Sequence, residues 1–136
     1  MTRFAIDAPV ALRLVRGTAL LADGHQLVGA AALRSEAMAI LYRELRAGTL
    51  DAKDARDQLD GVAGLKVRLL GDRVSRATAW RIALERDWDD VRRAELLAVA
   101  TLQADALVTE DAALAADADG LVPLATVAVL AIPATA

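Results

Sequence analysis

The run AELLAVATLQADALVTED, which ends at Asp111, constrains the fold more than any other stretch of the chain. Its first half is rich in Ala and Leu with no Gly or Pro to interrupt it, which predicts a helix packed on more than one side. Its second half, ADALVTED, is a short apolar run closing on Thr109 and an acidic pair. A buried strand that gives way to a loop or a helix start has this form. In open α/β sheets chemistry collects outside the carboxyl ends of parallel strands, and Asp111 falls at such an end. The search for function becomes a search for polar groups that meet Asp111 there.

The N-terminus supplies a counterpart. RFAI, residues 3 to 6, predicts a short strand, with Asp7 directly behind it. Pro9 then sits just inside PVALRLVR, where Val10 and Leu14, and Ala11 and Val15, recur at helical spacing. Asp7 therefore lies at a strand-to-helix junction. An N-cap that accepts the first turn's free N–H groups explains that position at least as well as catalysis does.

Gly17 ends the first helix, and TALLADGH reads as a turn-containing connection. His25, the single histidine, reads as a surface turn residue without a catalytic role. QLVGA, residues 26 to 30, predicts a second strand. From Ala32 to Arg46 the pattern is helical, with Leu33, Ala37, Ile40, Leu41 and Leu45 as an apolar stripe. Glu36 lies in the first turns, within one residue of that stripe. It is either an acid favouring the positive end of the helix or one directed along the core edge into a cleft. Arg43 and Glu44 read as solvated charges.

Gly48 closes that helix, and LDAKDARDQLDGVAG predicts a more polar one with Asp51, Asp54, Asp57 and Asp60 as surface charges. KVRLL, residues 66 to 70, predicts an edge strand. SRATAWRIALER, Ser75 to Arg86, predicts a helix with Trp80, Ala83 and Leu84 inward. Asp87, Trp88, Asp89 and Asp90 form an acidic turn that opens the helix containing Arg93 and Glu95. Ala106 to Val108 is the late strand, DAALAADA a helix start, and LVPLATVAVL one or two closing strands.

Helices thus alternate with short strands from end to end, with no repeat or linker between them. The expectation is one α/β domain over residues 1–136, a three-layer arrangement of a central, mainly parallel sheet flanked by helices. A chain of 136 residues with 56% apolar and 26% charged side chains suits a compact core. Absent cysteine excludes disulfides and thiolate metal sites and suits a reducing cytoplasm. No secretory signal is expected, because Asp7 interrupts the apolar start. LVPLATVAVLAIPATA is broken by Pro123 and Pro133 and falls short of the ~20 residues of a membrane span. It reads as a final strand and tail, with no membrane partner.

Three acids stand out by location: Asp7 after the first strand, Glu36 early in a core helix, and Asp111 after the late strand. On a parallel sheet Asp7 and Asp111 share one edge. Acids gathered in this way repel each other, which raises their pKa values or calls for a cation. With no Cys and one unplaced His, the fitting cations are hard ones with oxygen ligands, Mg²⁺ or Mn²⁺. Such ions typically serve phosphoryl chemistry. The formal charge of −3 does not advertise nucleic-acid binding, but an acidic site contributes negative charge that a metal offsets.

AIDAPV, HQLVGAAALRSEAMAILYRELRAG and AELLAVATLQADALVTED together resemble the PIN domain family, and more closely the VapC-type toxins of bacterial toxin–antitoxin pairs. The resemblance spans about residues 3–127, leaving a short C-terminal tail. It implies a PIN-like fold and a small Mg²⁺- or Mn²⁺-dependent endoribonuclease that cleaves RNA phosphodiester bonds. Asp7, Glu36 and Asp111 match the family's acids and would hold the ion. Thr109 matches the hydroxyl residue before the last acid, and would orient a carboxylate or a water. The resemblance also implies a homodimer and a small antitoxin that occupies the acidic cleft.

One position departs from the pattern. Where the family carries a further Asp, eighteen positions before the last acid, this chain has Arg93, followed by Ala94 and Glu95. A guanidinium cannot ligate a metal. Either it turns outward to an RNA backbone, or it neutralises the acids from within. The second case describes a catalytically degenerate PIN fold kept as a binding or assembly module. Asp89 and Asp90 lie four and three residues before Arg93, roughly on its face if the helix extends that far. They offer a substitute acid or, more simply, a helix cap. Glu95, about 200° round the helix from Arg93, is expected to point elsewhere.

Overall fold

The computed structural model describes residues 1–17, 20–21 and 24–132. The expected C-terminal tail beyond residue 132 lies outside the described residues, as do Thr18, Ala19, Ala22 and Asp23 of the connection expected after Gly17.

Five strands form one sheet: β1 (Thr2–Ile6), β3 (His25–Ala30), β4 (Arg68–Leu70), β5 (Ala106–Val108) and β6 (Leu124–Ala125). Their order is β4-β3-β1-β5-β6 and every pairing is parallel. A separate antiparallel pair joins β2 (Leu20–Leu21) to β7 (Ala131–Ile132). KVRLL does supply an edge strand, shortened to its last three residues.

Both faces of the sheet are covered, which explains why its strands read as nearly continuous apolar runs. Side chains alternate across a strand, so each strand feeds two cores. Ala5, Val28 and Leu107 point to one face, with Ile82 of α4 (Arg73–Glu85), Leu97 of α5 (Arg92–Gln103) and Leu114 of α6 (Ala112–Asp117). Phe4, Ile6, Leu27 and Val108 point to the other, with Val10 and Ala11 of α1 (Ala8–Arg16) and Leu130 of a 3-10 turn, Val127–Leu130. A third cluster joins α1 to α2 (Leu33–Ala47) and α3 (Ala52–Gly64) through Leu12, Leu41 and Val62. The result is a three-layer α/β fold.

Local chemistry sets the helix ends. Asp7, Asp51, Asp72 and Asp111 are N-caps whose carboxylates accept backbone N–H groups of the first turn. Gly48 stops α2 at φ 81°, a left-handed conformation that a residue without Cβ takes at no steric cost. Gly61 allows α3 to approach α1, since a Cβ there would stand 2.6 Å from Val15 Cγ1. Among the described residues no helix is long and apolar enough to cross a membrane.

The fourth helix departs from expectation. Trp80 and Leu84 were expected inward, yet they are 66% and 68% exposed, and Ala79, Ile82 and Ala83 carry the buried face. Small side chains let α4 lie close against α5, and the bulky residues occupy the outer side. His25 also differs: it opens β3 instead of forming a turn, with its ring edge-on to Phe4 at 4.9 Å.

The buried face makes Leu107→Ala costly, by roughly 2–5 kcal/mol, whereas Trp80→Ala on the outer face should stay within about 0.5 kcal/mol. Urea unfolding of the two variants beside wild type checks the contrast.

Candidate functional site

β1 is the pivot of the sheet: the chain first builds outward on one side of it through β3 and β4, then returns to its other side with β5. The strand order therefore reverses between β1 and β5, and a crevice opens beyond their carboxyl ends. Ile6 and Val108 are paired in register at that edge, so Asp7 and the Thr109–Asp111 segment emerge side by side.

A chain of hydrogen bonds ties them together. Asp7 Oδ1 accepts the Val10 N–H at 3.0 Å, and Asp7 Oδ2 accepts the Thr109 hydroxyl at 2.5 Å. Thr109 Oγ1 in turn accepts the Asp111 N–H at 3.1 Å. Asp111 Oδ1 accepts the N–H groups of Ala113 at 2.9 Å and Leu114 at 3.2 Å. Both acids are thus helix caps as well as candidate site residues. Thr109 orients the carboxylate of Asp7, with its proton committed to that bond.

Asp7, Glu36 and Asp111 line one cavity of about 400 Å³. Ile6, Leu33, Ile40, Leu96 and Leu114 supply apolar wall, and Arg43, Arg92 and Arg93 supply positive charge. Burial pushes the Asp7 carboxyl above its ordinary range against the hydrogen bonds of Thr109 and Val10, and the charge of Asp111 adds to the rise. Glu36 is exposed as a residue, but the wall around its carboxyl removes enough water to raise its pKa as well. Arg92 opposes that rise, while the charges of Glu95, Asp7 and Asp90 reinforce it. Among the described residues none of the three acids takes part in a salt bridge.

The basic residues depart from the sequence reading in instructive ways. Arg93 lines the cavity, but its Nη1 donates to Asp117 Oδ2 at 2.8 Å and its guanidinium lies 5.5 Å from the Trp88 ring centroid. It is bound outside the acids, not among them. Arg92 is held by Asp90, which accepts from its Nε and Nη2 and from its backbone N–H. Those bonds pull the Asp90 carboxyl down to about 2. Asp90 serves the start of α5, although the cap position itself falls on Val91. Asp89 and Asp90 line a neighbouring cavity with Trp88, Arg92 and Arg93, and neither is among the residues that line the cleft of Asp7, Glu36 and Asp111. Glu95 faces a different cavity beside Ser75 and Arg76, yet its charge still reaches Glu36. Arg43 is exposed, as a solvated charge should be, and also borders the cavity. His25 pairs with Thr2 at the opposite end of the sheet, away from the acids.

Sequence reasoning missed Arg92 and Asp117. The Asp90–x–Arg92 spacing at a helix start signals a local clamp. Asp117 carries no such signal, because it meets Arg93 only after α6 is packed.

Among the described residues no three His, Asp or Glu side chains come close enough to form a ready-made metal cage. The donor set still fits a hard cation held by one or two carboxylates and several waters. The donors are all oxygen, and Asp7 is a buried carboxyl without a cationic partner, the situation a divalent ion relieves.

No protein-family model matches the chain, and no curated protein matches it significantly. Among solved structures it is similar to the crystal structure of PAE2754 from Pyrobaculum aerophilum, with a TM-score of 0.68 and 22% sequence identity. The match covers 93% of this chain and 90% of that one, and it establishes a shared fold.

The raised Asp7 pKa has a defined consequence. The folded state keeps the Asp7 proton to higher pH than the unfolded state, whose value is near 3.8. Stability therefore falls as pH rises from that value through the folded pKa, then levels off. Asp7→Asn keeps a capping oxygen and removes the charge. In metal-free buffer the variant should exceed wild type in stability at pH 7, and the gap should close towards pH 4, as read by thermal unfolding.

Proposed function

We propose that the protein is a Mg²⁺- or Mn²⁺-dependent endoribonuclease of the PIN, VapC-like kind, acting at the Asp7–Glu36–Asp111 cleft. The observation that carries this reading is the distribution of charge. Three carboxylates share one cleft and take part in no salt bridge among the described residues, while Arg92 and Arg93 are bound to acids outside it. The bond of Arg93 to Asp117 supports this reading over one in which Arg93 neutralises the acids from within.

On this reading Asp7, Glu36 and Asp111 would hold the ion, one or two of them directly and the rest through water, and its chemistry when bound is to activate water and to stabilise negative charge on the phosphate. The chain's own groups do the rest. Thr109 fixes Asp7 in one rotamer by donating to Oδ2, and Asp111 is fixed by the first turn of α6. Arg43, Arg92 and Arg93 on the wall suit the phosphates of an RNA strand, for which a planar guanidinium is the better-matched cation. Leu33, Ile40 and Leu96 limit water around the acids.

The same reading carries the expected partners: an RNA substrate, a second copy of the chain in a homodimer, and a cognate antitoxin that covers the acidic cleft in the cytoplasm. The missing ready-made cage favours the other reading, a PIN-fold binding or assembly module without catalysis.

Thermal unfolding with and without Mn²⁺ separates the two. Mn²⁺ at a hundred times its dissociation constant should stabilise wild type by about 2.7 kcal/mol and leave Asp7→Asn with little shift. The same wild-type protein should cleave single-stranded RNA only when Mn²⁺ is present. Wild type without a shift would overturn the nuclease and leave the binding module.

A further inference from the structure

Arg92 and Arg93 stand on the wall of a cleft whose three carboxylates take part in no salt bridge among the described residues. Arg43, also on that wall, takes part in no salt bridge among the described residues and does not pair with the acids; Arg92 and Arg93, if loose, would have the cleft's carboxylates as alternative partners. Each is held from outside instead. Arg92 is clamped by Asp90, two residues before it in the same turn. Arg93 is held by Asp117, twenty-four residues away at the far end of α6.

The second tether is the more elaborate. The Asp117 side chain is 23% exposed against 45% for Arg93, so the pair is partly shielded by its surroundings. The indole of Trp88 lies against the Arg93 guanidinium at 5.5 Å, a favourable cation–π arrangement. Arg86 lies against the same indole at 5.8 Å and donates from Nη1 to the backbone carbonyl of Asp117 at 3.1 Å. Asp117 is thereby anchored through its main chain and bound to Arg93 through its side chain. The turn that presents Trp88 depends on Asp87, which takes a left-handed φ of 56°.

We propose that Asp117 is a positioning residue: by binding Arg93 against Trp88 it keeps that guanidinium off the acidic floor, and so leaves Asp7, Glu36 and Asp111 open to a cation. The cation belongs to the nuclease reading and the proposal rests on it there; the tether itself does not. A simple brace between α5 and α6 predicts something different. Loss of a brace lowers stability and is not repaired by removing Arg93.

The test compares wild type, Asp117→Asn, Arg93→Gln and the double variant as full chains. In metal-free solution, NMR contacts of the Arg93 side chain should run to the Trp88 indole in wild type. In Asp117→Asn they should leave Trp88 and appear at Pro9 and Leu33, which line the cleft. Mn²⁺ affinity, read from the concentration dependence of the unfolding midpoint, should weaken on the order of tenfold in Asp117→Asn. The double variant should recover wild-type affinity, because it has no guanidinium left to fill the floor. Trp88→Leu is a second variant that weakens the tether without touching Asp117, and it should relocate Arg93 in the same way. Arg93 contacts that stay on Trp88 in Asp117→Asn would overturn the proposal, as would a double variant no better than Asp117→Asn in a protein that binds Mn²⁺. If wild type shows no Mn²⁺ shift, the nuclease reading fails on its own, and relocation or persistence of the Arg93 contacts still decides the tether.

Discussion

A strand buried on both faces has to surrender its polarity at its ends. β1 is paired on either side and packed above and below, with Ala5 and Ile6 fully buried. It allows no charged residue along that stretch, and the next position is an aspartate. The parallel order turns this into a collective constraint, because each crossover starts its helix near the same sheet edge. Helix starts expose free N–H groups, and acids are the residues that satisfy them. Asp7 and Asp111 thus gather at one edge for a reason that precedes any chemistry. Capping a helix and lining the cleft, opposed as alternatives when the sequence is read alone, are one arrangement.

That economy has an electrostatic side. A cap carboxylate stabilises a helix start, but burial in a partly dry cleft raises the proton affinity of Asp7 and of Glu36, with the charge of Asp111 adding to the rise at Asp7 and that of Asp7 to the rise at Glu36. Nearby guanidiniums would cancel the charge at once. The fold instead spends Asp90 and Asp117 on keeping two of them occupied. Two of the three arginines on the cleft wall are thus paired with acids that do not line it.

Much of this was legible in the chain. The strand at 3–6, the helix from Leu33 and the strand before Thr109 follow from apolar period and length, and with them the positions of Asp7, Glu36 and Asp111. The failures share a physical cause. Trp80 and Leu84 looked inward because bulk suggests burial, yet α4 meets α5 through Ala79 and Ala83, and sequence period alone does not say which of two apolar sides is chosen. For Arg93 the position in a motif leaves two places open, outward or among the acids. Its true partner lies on another helix, and a contact of that separation leaves no mark on local pattern. Arg92, by contrast, was readable from a carboxylate two residues before it.

The six residues of α6 carry a floor acid just before their first turn and the arginine tether at their last position. At 1.5 Å per residue the helix is a spacer of about 9 Å between Asp111 and Asp117. A single inserted or deleted residue would swing one end by 100° relative to the other. The length of this short helix is therefore a register mark. It fixes where negative charge enters the cleft and where positive charge is kept out, so that drift in one could not be tuned independently of the other.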